Sequence, residues 1–328
     1  MTNITAKIIA DSISTVGKRI TTFELEYPRF IHAEFMTHRM ISKNAASSRA
    51  IPVKAMLDNI RSNPAMPSHW GKNEAGMQAS EECNEFVVWG DAEFTREVAW
   101  KAQMSDTLKL AQCFAKAGYH KQIVNRLTEP FQMIKVVATA TEWDNFFWLR
   151  KHKDAQPEIR ILAEKMWEAR EVSIPVVLSS GQWHLPYVDF VQEVVYEEED
   201  GTPLGPIQYF IGDLLTGKDY RNLTLEEAIK VSASMCAQVS YRKADDTLEK
   251  ALLVYDRLVE SKPVHASPFE HQATPVDTNG HDWEQEGVTA FHKKLGVMSG
   301  NFAGWIQNRQ LIEDHTCYNY QPEQKETN

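Results

Sequence analysis

Phe23, Leu25 and Tyr27 alternate with polar residues and stop at Pro28, and this short run constrains the fold more than any other feature of the chain. Alternation with period two puts the three side chains on one face, the pattern of a half-buried strand. A proline cannot continue the ladder, so the chain must leave the sheet there. It leaves through Phe30 to Arg39, read as a helix, and enters a polar cluster: His38, Arg39, Ser42, Asn44, Ser47 and Arg49. Two guanidiniums, an imidazole, two hydroxyls and an amide within twelve residues suit an anion joined to a polar ring. Arginines bind phosphate as bidentate donors, while short hydroxyl and amide side chains orient a heterocycle.

The rest of the chain reads as mixed α and β structure. Val53, Met56, Leu57 and Ile60 recur at helical spacing and stop at Asn63-Pro64, and Pro67 to Gly76 is loop-like. A long helix is expected over Glu93 to Lys116, closed by Gly118. Phe131 to Ala138 fits a buried strand or an apolar helix segment equally well. Thr141 to Asp144 has the form of a capping box, Pro157 of a first-turn proline, and Ile159, Leu162, Met166 and Ala169 of a buried helical stripe. Phe190 to Phe210 is read as a hairpin with an acidic tip at Asp200-Gly201. Thr224 to Glu227 is a second capping box, and Leu248, Leu252, Tyr255 and Val259 mark a further helix.

With 328 residues, 43% of them apolar, the chain is long enough for one large core, and we read residues 1–328 as one elaborated domain. A net charge of −10 disfavours polymeric nucleic acid, which needs a broad basic face, but is compatible with a mononucleotide held by a local arginine pocket. The four cysteines show neither CxxC pairing nor metal-ligand spacing, so no metal site is expected and a reducing, cytoplasmic setting fits. No apolar run reaches the ~18 residues of a membrane span, and no leader is read in the N-terminal segment.

Three segments together resemble the flavin-dependent thymidylate synthases. Thr37-His38-Arg39-Met40-Ile41-Ser42-Lys43-Asn44-Ala45-Ala46-Ser47-Ser48-Arg49 is similar to that family's Arg-His-Arg, Ser, Asn, acid, Ser, Arg pattern. Thr139 to Arg150, continuing through Ala155-Gln156-Pro157-Glu158-Ile159, is similar to its helix ending in Leu-Arg. His265-Ala266-Ser267-Pro268-Phe269-Glu270-His271, preceded by Cys236 to Tyr241, is similar to its His-x-Ser-Pro-Phe-Glu-His stretch. In the family this last stretch comes before the His-Arg cluster, whereas here it follows by more than two hundred residues. The resemblance therefore implies a circularly permuted and enlarged form: an antiparallel sheet packed with long helices, insertions near 52–119 and 172–223, and chain ends that meet near the site.

The resemblance also implies roles. Arg150 would be the catalytic arginine that polarises the N3–O4 edge of a uracil ring so that C5 becomes nucleophilic. Glu34, in the place of a substrate-contacting glutamine, would bind substrate together with Arg150, and Ser47, Arg49 and Arg126 would hold its phosphate. His38, Arg39, Asn44, Asn145, His265 and Ser267 would bind FAD. Methylenetetrahydrofolate and NADPH are the implied co-substrates, dTMP formation from dUMP the implied reaction, and a homotetramer the implied assembly. Local sequence alone also permits simpler readings: Arg150 as a helix-end arginine on the macrodipole, Arg126 as an exposed helical charge, and Ser267 to Glu270 as a capping box.

Departures from the pattern keep alternatives open. Thr37 replaces the first arginine, Ala45 an acidic residue, and Thr139 and Thr141 an asparagine and an arginine. These suggest methyl or hydroxymethyl transfer to another pyrimidine deoxynucleotide such as dCMP, or a non-catalytic nucleotide-binding homologue. Ser68-His69-Trp70 and Gln182 to Tyr187 line a pocket or belong to the core. Ala303 to Arg309 echoes Ala33 to Arg39, which either brings Arg309 near the site or is chance.

Overall fold

A computed structural model describes residues 3–193, 205–240, 247–276 and 288–317. The tip expected at Asp200-Gly201 and the two chain ends lie outside these residues. In chain order the elements are β1 (Thr5–Ser14), β2 (Arg19–Pro28), α1 (His32–Met36), β3 (Ser42–Ala45), α2 (Val53–Ser62), the hairpin β4 (Val87–Trp89) and β5 (Ala92–Phe94), α3 (Arg96–Lys116) and α4 (Lys121–Val124). β6 (Met133–Ala140), α5 (Asp144–Arg150), α6 (Pro157–Glu171), β7 (Val176–Leu178), β8 (Asp189–Gln192), β9 (Ile207–Ile211) and β10 (Arg221–Leu223) follow. The described chain closes with α7 (Leu225–Ala237), α8 (Leu248–Glu260), β11 (Ala273–Pro275), β12 (Ala290–His292), β13 (Gly296–Met298) and β14 (Trp305–Gln307). Among the described residues no helix is long and apolar enough to cross a membrane.

The central sheet has the order β3-β6-β2-β1-β7. Its first three pairings are antiparallel, as expected, but β7 joins β1 in parallel. α6 fills the crossover back to that edge. One face of the sheet is apolar: Phe23, Leu25 and Tyr27 of β2 pack with Ile134 and Val136 of β6 under α1, α5 and α6. Ile159, Leu162 and Met166 are the buried stripe of α6, and its start is fixed by Gln156, whose side chain accepts from the amides of Glu158 and Ile159.

The other face is polar. Register places Thr22 opposite Thr139 and Thr139 opposite Ser42, so three hydroxyls share one row. His184, from the 172–223 segment, bridges Ser12 Oγ at 2.9 Å and Thr22 Oγ1 at 2.7 Å. Thr22 and Thr139 hydroxyls lie 2.8 Å apart, and Thr139 reaches His271 Nδ1 at 2.8 Å. A neutral imidazole donates from one nitrogen and accepts at the other, so His184 donates to one of the Ser12 and Thr22 hydroxyls and accepts from the other. Both rings are buried, which pushes His184 down to about 4 and His271 to about 3.

The segments 52–119 and 172–223, expected as insertions, both pack onto the rest of the described chain. α2 and α3 form their own apolar cluster with Val124 and Phe131. Glu158, 2% exposed, accepts from Ser68 Oγ at 2.9 Å and ties the 52–119 segment to α6. The Trp-His segments divide between the two readings: Trp70 packs edge-on against Trp100 and His184 belongs to the hydrogen-bonded row, while Trp183 and Leu185 line a small cavity.

Three expected starts and stops differ. The helix expected over Phe30 to Arg39 covers only His32–Met36, because the Thr37 hydroxyl donates to the Glu34 carbonyl at 2.7 Å and closes the last turn. Thr141 does not cap α5; its hydroxyl accepts the Ala303 amide at 3.1 Å, and Trp143 is the N-cap without a side-chain bond. Ser267 to Glu270 is a single 3-10 turn whose N-cap is Ala266, again without a capping side chain. The box at Thr224 and Glu227 does form.

Two outcomes are expected. Unfolded histidines titrate near 6.5, about two units or more above the folded His184 and His271, so acid protonates the unfolded chain first. Stability is therefore complete above about pH 6.5 and falls steadily toward about pH 4, which denaturant titrations across that range will show. Thr139→Val breaks the row at its centre, leaving His271 Nδ1 without its partner while Thr22 keeps its bond to His184, and costs about 1–3 kcal/mol in the same assay.

Candidate functional site

The site assembles at the end of α5, where α1 and the turn between α1 and β3 meet it. Arg150 is the last residue of α5, and its Nε donates to His38 Nε2 at 2.8 Å. This bond assigns the remaining His38 proton to Nδ1 and makes the ring neutral. Arg150 Nη1 forms an ion pair with Glu34 Oε1. The His38 ring stands edge-on to Phe146 with centroids 4.9 Å apart, so the apolar face of α5 fixes its orientation. Burial, with Arg150 and Lys43 nearby, lowers His38 to about 4.

Lys43 was not singled out from sequence, yet it organises the turn. Its ammonium donates to the carbonyls of His38 and of Ile41, the latter at 2.9 Å, and sits 5.5 Å from the Phe35 ring centre. Burial lowers Lys43 to about 8, opposed by the Glu270 carboxylate. Glu270 in turn pairs with Arg309. Arg309 thus does come to this region, carried by a C-terminal segment whose Asn301 and Gln307 amides donate to Ser42 Oγ at 3.1 and 3.2 Å. The signal for Lys43 was its place between Ser42 and Asn44, inside the cluster already recognised.

The expected phosphate ligands form a second group. A tight turn links Ser47 and Arg49, both exposed. The buried amide of Asn125 donates to the carbonyls of Ser48 at 2.7 Å and Ile51 at 2.9 Å, and Lys121 Nζ donates to Ala50 O at 3.0 Å. Arg126, exposed and adjacent to Asn125, therefore borders the same turn, although it lies in a 3-10 segment rather than the expected helix. Glu26, Ala46, Ile51 and Asn63 help line a cleft of about 320 Å³ beside it. β3 separates the two groups by roughly 13 Å along the strand, and no described hydrogen bond or ion pair joins them.

The expected flavin contacts are unevenly placed. Arg39 and Asn145 are exposed, with no hydrogen-bond partner among the described residues. The Asn44 amide donates to Cys236 O at 2.6 Å, which ties β3 to α7. His265 is exposed and Ser267 half-buried, and the single 3-10 turn beginning at Ser267 packs on β3. Trp148, 74% exposed, separates a cavity of about 610 Å³ lined by Phe147, Lys151 and Trp167 from one of about 440 Å³ lined by Leu149, Arg150 and His152.

Removing the Arg150 cation raises His38 toward its ordinary value. A proton NMR titration of His38 in Arg150→Ala is expected to show a clear upward shift from about 4, and an unchanged value would contradict the charge coupling described here.

Comparison with known proteins places this geometry in a family. Residues 12–176, half of the chain, match the family model described as thymidylate synthase complementing protein. No curated protein matches the chain. Among solved structures, a UMP/dUMP methylase, PolB, from Streptomyces cacaoi bound with 5-Br UMP is 18% identical, with a TM-score of 0.40 over 52% of this chain and 89% of that one. Thymidylate Synthase X from Helicobacter pylori with FAD and dUMP is 16% identical, with a TM-score of 0.32 over 46% and 67%. The matched span contains β2, the His38–Arg49 cluster and α5 with Arg150, and the chain belongs to the thymidylate synthase complementing protein family, as an enzyme of the flavin-dependent thymidylate synthase type.

Proposed function

We propose that the protein transfers a one-carbon unit to C5 of a pyrimidine deoxynucleotide, using methylenetetrahydrofolate as donor, FAD as cofactor and NADPH as reductant. In the parent reaction of the family, dUMP becomes dTMP. The observation that carries this reading is Arg150, whose guanidinium is held by His38 and Glu34 beside a cavity of about 440 Å³. A fixed cation at the edge of a pyrimidine ring stabilises the negative charge that develops there as C5 becomes nucleophilic. Because the group is held before the reaction, no reorganisation is needed at that moment.

The residues present fit a flavin nucleotide. The exposed Arg39 guanidinium and Asn145 amide are available as donors, and the exposed Trp148 indole offers a stacking face. His265 and Ser267 are further candidates for its contacts. When bound, the flavin supplies the hydride that reduces the transferred carbon to a methyl group. Ser47, Arg49 and Arg126 hold the nucleotide phosphate as an exposed cationic turn, fixed from below by Asn125. We further propose that the chain works as a single catalytic unit within a homotetramer, in the cytoplasm. Exposed Met36, Met40 and Leu149 around the site supply apolar surface for subunit contact.

The test is anaerobic. Protein loaded with FAD and reduced is mixed with methylenetetrahydrofolate and either dUMP or dCMP, flavin reoxidation is followed, and the product is identified by mass. Nucleotide-dependent reoxidation with a C5-methylated product is expected, and Arg150→Ala should slow it roughly 10²–10³-fold. Failure to bind flavin would overturn the assignment.

A further inference from the structure

The ion pair at the heart of the site also bears on which base is read, an inference that rests on the pyrimidine-nucleotide reading above. By the resemblance given above, Glu34 takes the place of a glutamine. An amide offers both a donor and an acceptor and can turn to suit either base, whereas a carboxylate offers acceptors alone. Here the carboxylate is bound to Arg150 Nη1, and Arg150 Nε is held by His38, so the guanidinium cannot rotate freely. No described residue takes Glu34 Oε2 or Arg150 Nη2, and both side chains are partly open to solvent, at 32% and 19%. The pair therefore presents an acceptor followed by two donors.

Cytosine is the complement of that order: its N4 amino group donates, and N3 and O2 accept. Uracil presents O4, N3–H and O2, an acceptor, a donor and an acceptor. In the same place uracil would set O4 against the carboxylate and N3–H against a guanidinium donor. Such mismatches leave polar groups unpaired, the costly outcome in a partly buried site. We propose that the Glu34–Arg150 pair is the specificity-determining element of this protein and selects a cytosine nucleotide over a uracil nucleotide.

Calorimetric titration of the FAD-loaded protein with dCMP and with dUMP, repeated in Glu34→Gln and Arg150→Lys, tests this. The wild type should bind dCMP roughly ten- to hundredfold more tightly, the range expected for one bidentate base contact. Glu34→Gln should gain dUMP affinity and bring the two within a few-fold, a gain that a misfolded variant cannot produce. Arg150→Lys keeps the charge but loses the planar fork, and should weaken both nucleotides. Wild-type binding of dUMP as tight as that of dCMP would overturn the selection while leaving the functional reading intact. Binding of FAD with neither nucleotide would overturn both. If Glu34→Gln does not fold, Glu34→Asp, still an acceptor alone, must retain the dCMP preference, and its loss would count against the proposal.

Discussion

A row of buried hydroxyls crosses one face of the central sheet, and the rest of the molecule is arranged around the need to satisfy it. Ser12, Thr22, Thr139 and Ser42 are each 5% exposed or less. Left bare under an apolar layer, such groups would cost several times what a formed hydrogen bond contributes. They are satisfied by side chains from segments far away in sequence: His184, His271, and Asn301 with Gln307. Three remote stretches are thereby drawn onto one face of the sheet. The turn carrying Glu270 and the segment carrying Arg309 arrive beside β3 for that reason.

This constraint also accounts for the position of the cations. Lys43 lies on the strand whose neighbour, Ser42, is bound by Asn301 and Gln307, and its charge is met by the Glu270 brought in next to His271. Arg150 is met by Glu34, and Arg309 by Glu270. A site with this many positive groups and only partial solvent access would be unstable without such partners. The pairing fixes each cation in one orientation, and a fixed cation is what selective recognition of a planar base requires. The Glu34 carboxylate is accommodated because Arg150 neutralises it, while Ser47 and Arg49 lie beyond the far end of β3.

Local chemistry and tertiary demand disagree at the same few places. The alternation in β2, the helical spacing of α2 and α6, and the capping box of α7 were readable because a periodic apolar face or a local cap is decided within a dozen residues. The apparent capping box at Thr141 failed because a remote amide, that of Ala303, took the hydroxyl. α1 ended early because Thr37 turned back on its own helix. Asn44, expected at the ligand, also donates to Cys236 O and so ties β3 to α7, a contact no local pattern announced. At Thr141 and Thr37 a short polar side chain had two possible partners, and packing chose between them.

By itself the sequence determined the family, through the His38–Arg49 cluster and the helix ending at Arg150, because those groups sit within single turns of chain and their spacing survives any rearrangement of the rest. It determined most of the elements for the same reason. Only the tertiary structure decided that Glu34, His38 and Arg150 form one hydrogen-bonded unit, that Lys43 braces the turn beside it, and that Arg309 completes the charge pattern. Those partners are separated by 39 to 116 positions where they form ion pairs, and their meeting depends on which face of the sheet must be covered. No local pattern encodes that distance.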